Sequence, residues 1–149
     1  MDATRQERLK ARGLRVTGPR VTVLGVLDDA RAGHEHLSAA QIADRARVRV
    51  GSLSLQGVYD CLEALTRAGL ARRIEPDGRL ARYEGRTGDN HHHLVCRGCG
   101  AITDVDCVIG APPCLQPISR GDFFVDEAEV VFRGYCSTCR TTKETSPYD

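Results

Sequence analysis

The stretch "SLSLQGVYDCLEALTRAGLARRIEPDGRLARYEG", Ser52 to Gly85, changes its period halfway along. In its first half Val58, Leu62 and Leu65 recur at spacings of four and three, one face of a helix. Ser52 or Ser54 can open that helix and Gly69 can close it. In its second half, runs of partial alternation flank Pro76-Asp77-Gly78 on either side. Proline presets φ and glycine supplies a positive φ, so a β-hairpin is predicted there. Upstream, residues 3–12 form a weak helix ended by Gly13. Thr17 or Gly18 caps a second helix, with Pro19 in its first turn and Val23, Leu24, Val26 and Leu27 on its apolar stripe. Ser38 caps a third helix that carries Ile42 and Ala46. Short helices followed by an arginine-rich hairpin outline a winged helix-turn-helix. Its last helix, residues 54–68, would enter a DNA major groove, with the wing along the backbone. A small α+β domain without DNA contact is the bland alternative; Arg15, Arg20, Arg72, Arg73, Arg79 and Arg82 weigh against it.

Charge divides the chain in the same way. Residues 1–88 carry 16 Lys/Arg and 11 Asp/Glu, whereas residues 89–149 carry 5 and 9. A basic first half suits a polyanion and an acidic second half suits cations. The chain has 149 residues, no Trp, and only 3 Phe and 4 Tyr, so its core is aliphatic. No apolar run approaches the roughly 20 residues that span a bilayer, so no membrane partner is expected. The charged N-terminus lacks the apolar segment of a secretion signal, which points to the cytoplasm and reduced thiols.

The 7 cysteines are therefore read as ligands or redox thiols. Cys96 and Cys99 form one C-x-x-C unit, and Cys136 and Cys139 form another, with residues 100–135 between them. Four thiolates in two such turns make the closed tetrahedral environment of structural Zn2+. Cys61 lies at a helical core position. Cys107 and Cys114 flank a proline-rich bend, either as two free thiols or as a redox pair. Just before the first unit stand His91, His92 and His93. On an extended strand His91 and His93 share one face and His92 takes the other. Short Val-, Ile- and Phe-rich runs around residues 93–96, 101–108 and 129–136 predict strands. "GAPPCLQPIS" excludes a long helix.

"LRVTGPRVTVL", "SLQGVYDCLEALTRAGLARRIEPDGRLARYE", "GDNHHHLVCRGCG" and "CSTC", spread over residues 12–139, together resemble the ferric-uptake regulator (Fur) family. "DNHHHLVCRGCGAITDVDC" and "DEAEVVF" are similar to its actinobacterial FurA/CatR peroxide-responsive branch. The resemblance implies an α/β (α+β) architecture. Residues 1–84 would form the winged-helix DNA-binding domain, 85–89 a hinge, and 90–149 a small α/β dimerisation and metal-binding domain with structural zinc at Cys96, Cys99, Cys136 and Cys139. It also implies a regulatory metal site between the domains, with ligands matched to His36, Glu84, His91, His93 and Asp104. Three imidazoles and two carboxylates suit Fe2+ or Mn2+, with Zn2+ possible in vitro.

As a homodimeric repressor, such a protein binds an AT-rich inverted repeat in double-stranded DNA. Ser54, Gln56 and Tyr59 would face bases or phosphates, Arg15 the minor groove, and Arg20, Arg72 and Arg73 phosphates. Peroxide responsiveness at the regulatory site and control of genes such as that for catalase-peroxidase follow from the branch. Glu84 stands where peroxide-responsive members usually carry Asp, so iron or zinc sensing without peroxide chemistry stays open. No enzymatic activity is expected: a metallohydrolase or a C-x-x-C oxidoreductase gives no reason for a winged helix.

Overall fold

The computed structural model describes residues 2–76, 78–109, 111 and 113–140. The chain divides into two compact units between Gly88 and Asp89.

The first unit holds four helices and a small sheet: α1 (Asp2–Ala11), α2 (Gly18–Ala32), β1 (Leu37–Ser38), α3 (Ala39–Val50), α4 (Leu55–Arg67), β2 (Arg72–Ile74) and β3 (Arg82–Glu84). Three helices begin at side-chain caps. The Thr17 hydroxyl accepts from Arg20 N at 3.3 Å, and Ser54 Oγ accepts from Gly57 N at 3.0 Å. Ser38 and Gln41 form a reciprocal capping box, at 3.2 and 2.9 Å. Val23, Leu24, Val26, Leu27, Ile42, Ala46, Val58, Leu62 and Leu65 are fully buried together, as their spacing predicts. Each large aliphatic side chain contributes about 1.5–3 kcal/mol by leaving water. Cys61 joins this core, and burial pushes its thiol pKa up.

The wing is an antiparallel hairpin with Arg72 opposite Glu84 and Ile74 opposite Arg82. Arg79 N donates to Pro76 O at 2.9 Å across the turn, and Gly78 takes φ +63. Asp77, the middle residue of the expected turn, lies outside the described residues. One element has no sequence signal: β1, two residues long, pairs with β3 through Leu37 and Tyr83, giving the order β1-β3-β2.

The second unit is built on β4 (His91–Cys96), β5 (Ile102–Asp106) and β6 (Val131–Gly134), followed by the short α5 (Ser137–Arg140). β4 is central, antiparallel to β5 and parallel to β6. A parallel pair needs a crossover. Residues 107–130 supply it with no helix or strand among the described residues, consistent with the prolines there. No helix among the described residues is long and apolar enough to cross a membrane.

Candidate metal centres and nucleic-acid face

The cysteine cluster follows from the parallel register of β4 and β6. Cys96 ends β4 opposite Gly134, and Arg97 N donates to Gly134 O at 2.7 Å. That brings two turns, far apart in sequence, to one end of the sheet. The sulfurs of Cys96, Cys99, Cys136 and Cys139 lie within 4.8 Å of one another. Cys99 Sγ and Cys136 Sγ are 3.8 Å apart. A tetrahedron with Zn–S bonds of about 2.3 Å has an edge of about 3.8 Å, so the donors fit that ion.

The first turn is tight. A Cβ on Gly98 would stand 2.7 Å from Cys139 Sγ, and Gly100 takes φ +77. Backbone N–H groups of Cys136 and Cys99 aim at Cys96 Sγ, at 3.3 and 3.5 Å, and pull that thiol down to about 6. Hydrogen bonds to the Cys136 and Cys96 sulfurs push Cys139 up to about 12. The first thiolate forms readily; further negative charge in the same cluster needs a cation to hold it.

The expected regulatory ligands form two sets, one in each unit. In the first unit His36 Nε2 lies 2.9 Å from Glu84 Oε2, with side chains 4% and 2% exposed. Glu84 ends the wing strand β3, and His36 immediately precedes β1, the strand paired with β3. His34, two residues earlier, is exposed and takes φ +54.

In the second unit His93 is directly opposite Asp104 across β4 and β5, its Nε2 3.5 Å from Asp104 Oδ1. His91 Nε2 is 3.8 Å from the same oxygen, and His91 Nδ1 lies 2.8 Å from Asp89 Oδ1. The two imidazoles meet edge to face at 4.9 Å. A carboxylate holding the far nitrogen of an imidazole fixes its orientation for ligation, a role Asp89 can play for His91. Glu129 Oε1 stands 3.4 Å from His93 Nδ1, near that nitrogen but without the hydrogen bond that Asp89 makes to His91. Sequence reasoning passed over both carboxylates; Asp89 could have been found from its place two residues before His91.

His92 points to the other face, where its Nε2 is 3.2 Å from Cys114 Sγ. The sequence offers Cys114 only Cys107 as a partner and gives no link to His92, 22 positions away.

On α4, Gln56 and Tyr59 are exposed, with Gln56 Nε2 donating to Asp60 Oδ1 at 2.9 Å. Ser54 is the helix cap, so its hydroxyl is engaged by Gly57 N. Arg15 is exposed, and its carbonyl accepts from Arg20 Nη1 at 2.9 Å. Arg72 is half-buried on the wing, whereas Arg73 is exposed and pairs with Glu75 at 2.6 Å. Tyr59, Arg67, Arg73 and Tyr83 line one groove between α4 and the wing.

A helical unit with a three-stranded wing, joined to a sheet that clusters thiols, imidazoles and carboxylates, defines a winged-helix protein equipped to bind metal. The profile of the Ferric uptake regulator family matches residues 11–109, and the chain belongs to that family. It is a metal-dependent transcriptional regulator, and regulators of this family bind DNA and act as dimers. The chain is 50% identical to transcriptional regulator FurA of Mycobacterium tuberculosis over 133 residues, 89% of this chain and 88% of that protein. It is 48% identical to ferric uptake regulation protein 1 of Mycolicibacterium fortuitum over 89% of this chain and 80% of the relative. The solved ferric uptake regulator of Pseudomonas aeruginosa with manganese superposes with a TM-score of 0.68 at 27% identity, covering 89% of this chain and 98% of that one.

Proposed function

We propose that the chain is a cytoplasmic homodimeric repressor that binds an AT-rich inverted repeat when a regulatory Fe2+ or Mn2+ is held, and that peroxide relieves the repression. Cys96, Cys99, Cys136 and Cys139 hold a structural Zn2+. His36 and Glu84 from the first unit, and His91, His93 and Asp104 from the second, hold the regulatory ion. The observation that carries this reading is the buried pairing of imidazole with carboxylate in both units, His36 with Glu84 and His93 with Asp104. Such sets suit borderline divalent cations.

A bound cation would supply positive charge beside Glu84 and Asp104, next to the imidazoles already paired with them. The chain's residues do the rest. Cys96 ends the strand that presents His91 and His93, so the thiolate cluster anchors that strand. Ligands from two units select one hinge angle, and thereby one spacing of the two α4 helices in a dimer. Gln56, Tyr59 and the α4 N-terminus then face the operator, with Arg15, Arg20, Arg72 and Arg73 on its grooves and phosphates.

Dimerisation is supported by an apolar surface on the second unit: Val108, Ile109, Leu115, Ile118, Phe123 and Phe124 are all exposed. Apolar side chains gathered in one small unit suit burial against a second copy. Control of oxidative-stress genes such as that for catalase-peroxidase goes with the peroxide reading. One observation favours a second reading. The wing carboxylate is Glu84, which suits an iron- or zinc-responsive repressor without peroxide sensing.

Operator binding by protein loaded with Fe2+, Mn2+ or Zn2+, before and after peroxide, decides between them. The peroxide reading expects the Fe2+ form to leave DNA at lower peroxide than the Mn2+ or Zn2+ forms. Unchanged binding by that form after peroxide supports the second reading.

A further inference from the structure

The face of β4 turned away from the proposed regulatory ligands carries a second constellation. His92, Cys107 and Cys114 each offer a ligand-type atom within 4.8 Å of the others. Cys114 is buried and Cys107, just past β5, is half-buried. The Cys114 sulfur lies 3.2 Å from His92 Nε2 and 3.8 Å from Ala128 O. Neither cysteine belongs to the C-x-x-C cluster.

The tautomer of His92 decides what this trio can do. Val130 N–H donates to His92 Nδ1 at 3.1 Å, so Nδ1 is the ring's acceptor. The neutral imidazole then carries its proton on Nε2 and presents an N–H to the Cys114 sulfur. A cation on Nε2 would need that nitrogen bare and Nδ1 protonated, setting two N–H groups against each other at Val130. The geometry therefore favours thiol chemistry over a cation cage. Burial and the neighbouring Cys107 sulfur push the Cys114 thiol up, and an N–H aimed at its sulfur offsets part of that rise.

We propose that Cys107 and Cys114 form a reversible, peroxide-oxidisable dithiol, with His92 as the positioning residue that prepares Cys114 for disulfide formation. The half-buried Cys107 meets the oxidant. Its thiolate sulfur attacks one peroxide oxygen, the O–O bond breaks, and the sulfur becomes a sulfenic acid while hydroxide leaves and takes up a proton as water. The Cys114 sulfur, steadied by the His92 N–H, attacks the Cys107 sulfur. The S–O bond breaks, and the departing hydroxyl leaves as water with the Cys114 proton. Two thiols have given two electrons to one peroxide, and a dithiol reductant returns them. His92 stands between His91 and His93 on one strand, so loss of its sulfur contact reaches the strand that presents both. That last consequence rests on the regulatory reading above; the disulfide itself does not.

The test uses full-length, zinc-loaded, reduced protein treated with graded hydrogen peroxide, then alkylated and digested without reductant for mass spectrometry. A Cys107–Cys114 cross-linked peptide, lighter by two hydrogens, is expected at peroxide levels that leave the peptides of Cys96, Cys99, Cys136 and Cys139 unmodified. Cys107→Ser and Cys114→Ser each abolish it. His92→Leu slows cross-link formation about three- to tenfold, the scale of one hydrogen bond, and His92→Gln, which keeps a donor at the same reach, restores most of the rate. Oxidation of the C-x-x-C cysteines first, with Cys107 and Cys114 still open to alkylation, overturns the proposal. So does protection of both thiols from alkylation by a second equivalent of Zn2+, which would make the trio a metal site. Equal rates for His92→Leu and the parent protein remove His92 from it.

Discussion

Glu84 and His36 meet at 2.9 Å in the first unit with both side chains almost wholly withdrawn from water. A buried carboxylate costs several kcal/mol unless positive charge compensates it. The pair sits where the wing strand meets β1, so the sheet itself brings the two side chains together. An imidazole and a carboxylate converging from paired strand ends are the donor types that the proposed regulatory site requires of this unit.

Glu84→Gln tests the charge while keeping the shape. Gln preserves the hydrogen-bonding reach toward His36 and removes the anion. The affinity of zinc-replete protein for Mn2+ should fall at least about tenfold, with little change in thermal stability. Titration calorimetry reads the first effect and a melting curve the second. Unaltered Mn2+ affinity would remove Glu84 from the site.

The thiol cluster predicts an ordered titration in zinc-stripped, reduced protein. Cys96, held near 6 by the N–H groups of Cys136 and Cys99, becomes a thiolate as pH rises from about 5 to about 7. Cys139, raised to about 12 by its sulfur neighbours, keeps its proton throughout that window. Alkylation followed by peptide mapping should therefore label Cys96 well before Cys139 as pH increases. Equal labelling of the two at neutral pH contradicts the arrangement of donors at Cys96 Sγ.

The DNA-binding face separates by salt. Arg20→Ala and Arg73→Ala each remove one cation from the basic unit. Each cation that contacts a phosphate contributes about 0.9 to the log–log salt slope of operator affinity, so each variant should flatten the slope by that amount. Tyr59→Ala should weaken operator binding with the slope nearly unchanged, because it removes no charge. Fluorescence anisotropy across a salt series measures all three.

Leu62→Ala probes the core rather than the sites. Leu62 is fully buried on α4 among residues from the other helices, and its truncation should cost about 2–5 kcal/mol. Denaturant unfolding measures the loss, and an effect below about 1 kcal/mol would contradict the packing of α4.

The helices of the first unit were legible because their start signals are local. Thr17, Ser38 and Ser54 each cap a helix three residues or fewer upstream of the backbone N–H they accept. Val58, Leu62 and Leu65 share a face by spacing alone. The wing was legible from Pro76 and Gly78. β1 was not, because two residues carry no period; Leu37 becomes a strand only by pairing with Tyr83 of a distant hairpin. Alternation along β4 separated His92 from His91 and His93, yet it could not say that Cys114 or Val130 waits on the far side. Those contacts depend on how the crossover returns to the sheet. The choice of His36 comes from the family resemblance alone; spacing gives no sign that His34 stands exposed on a left-handed turn.

One measurement bears most directly on a single cation held by ligands from both units: Mn2+ stoichiometry of zinc-replete protein by titration calorimetry, for His36→Ala, His93→Ala and the double variant. The account predicts that each single variant loses the same Mn2+ equivalent and that the double variant loses no more. Retention of that equivalent by either single variant, with loss only in the double, would mean separate sites in the two units and contradict the account.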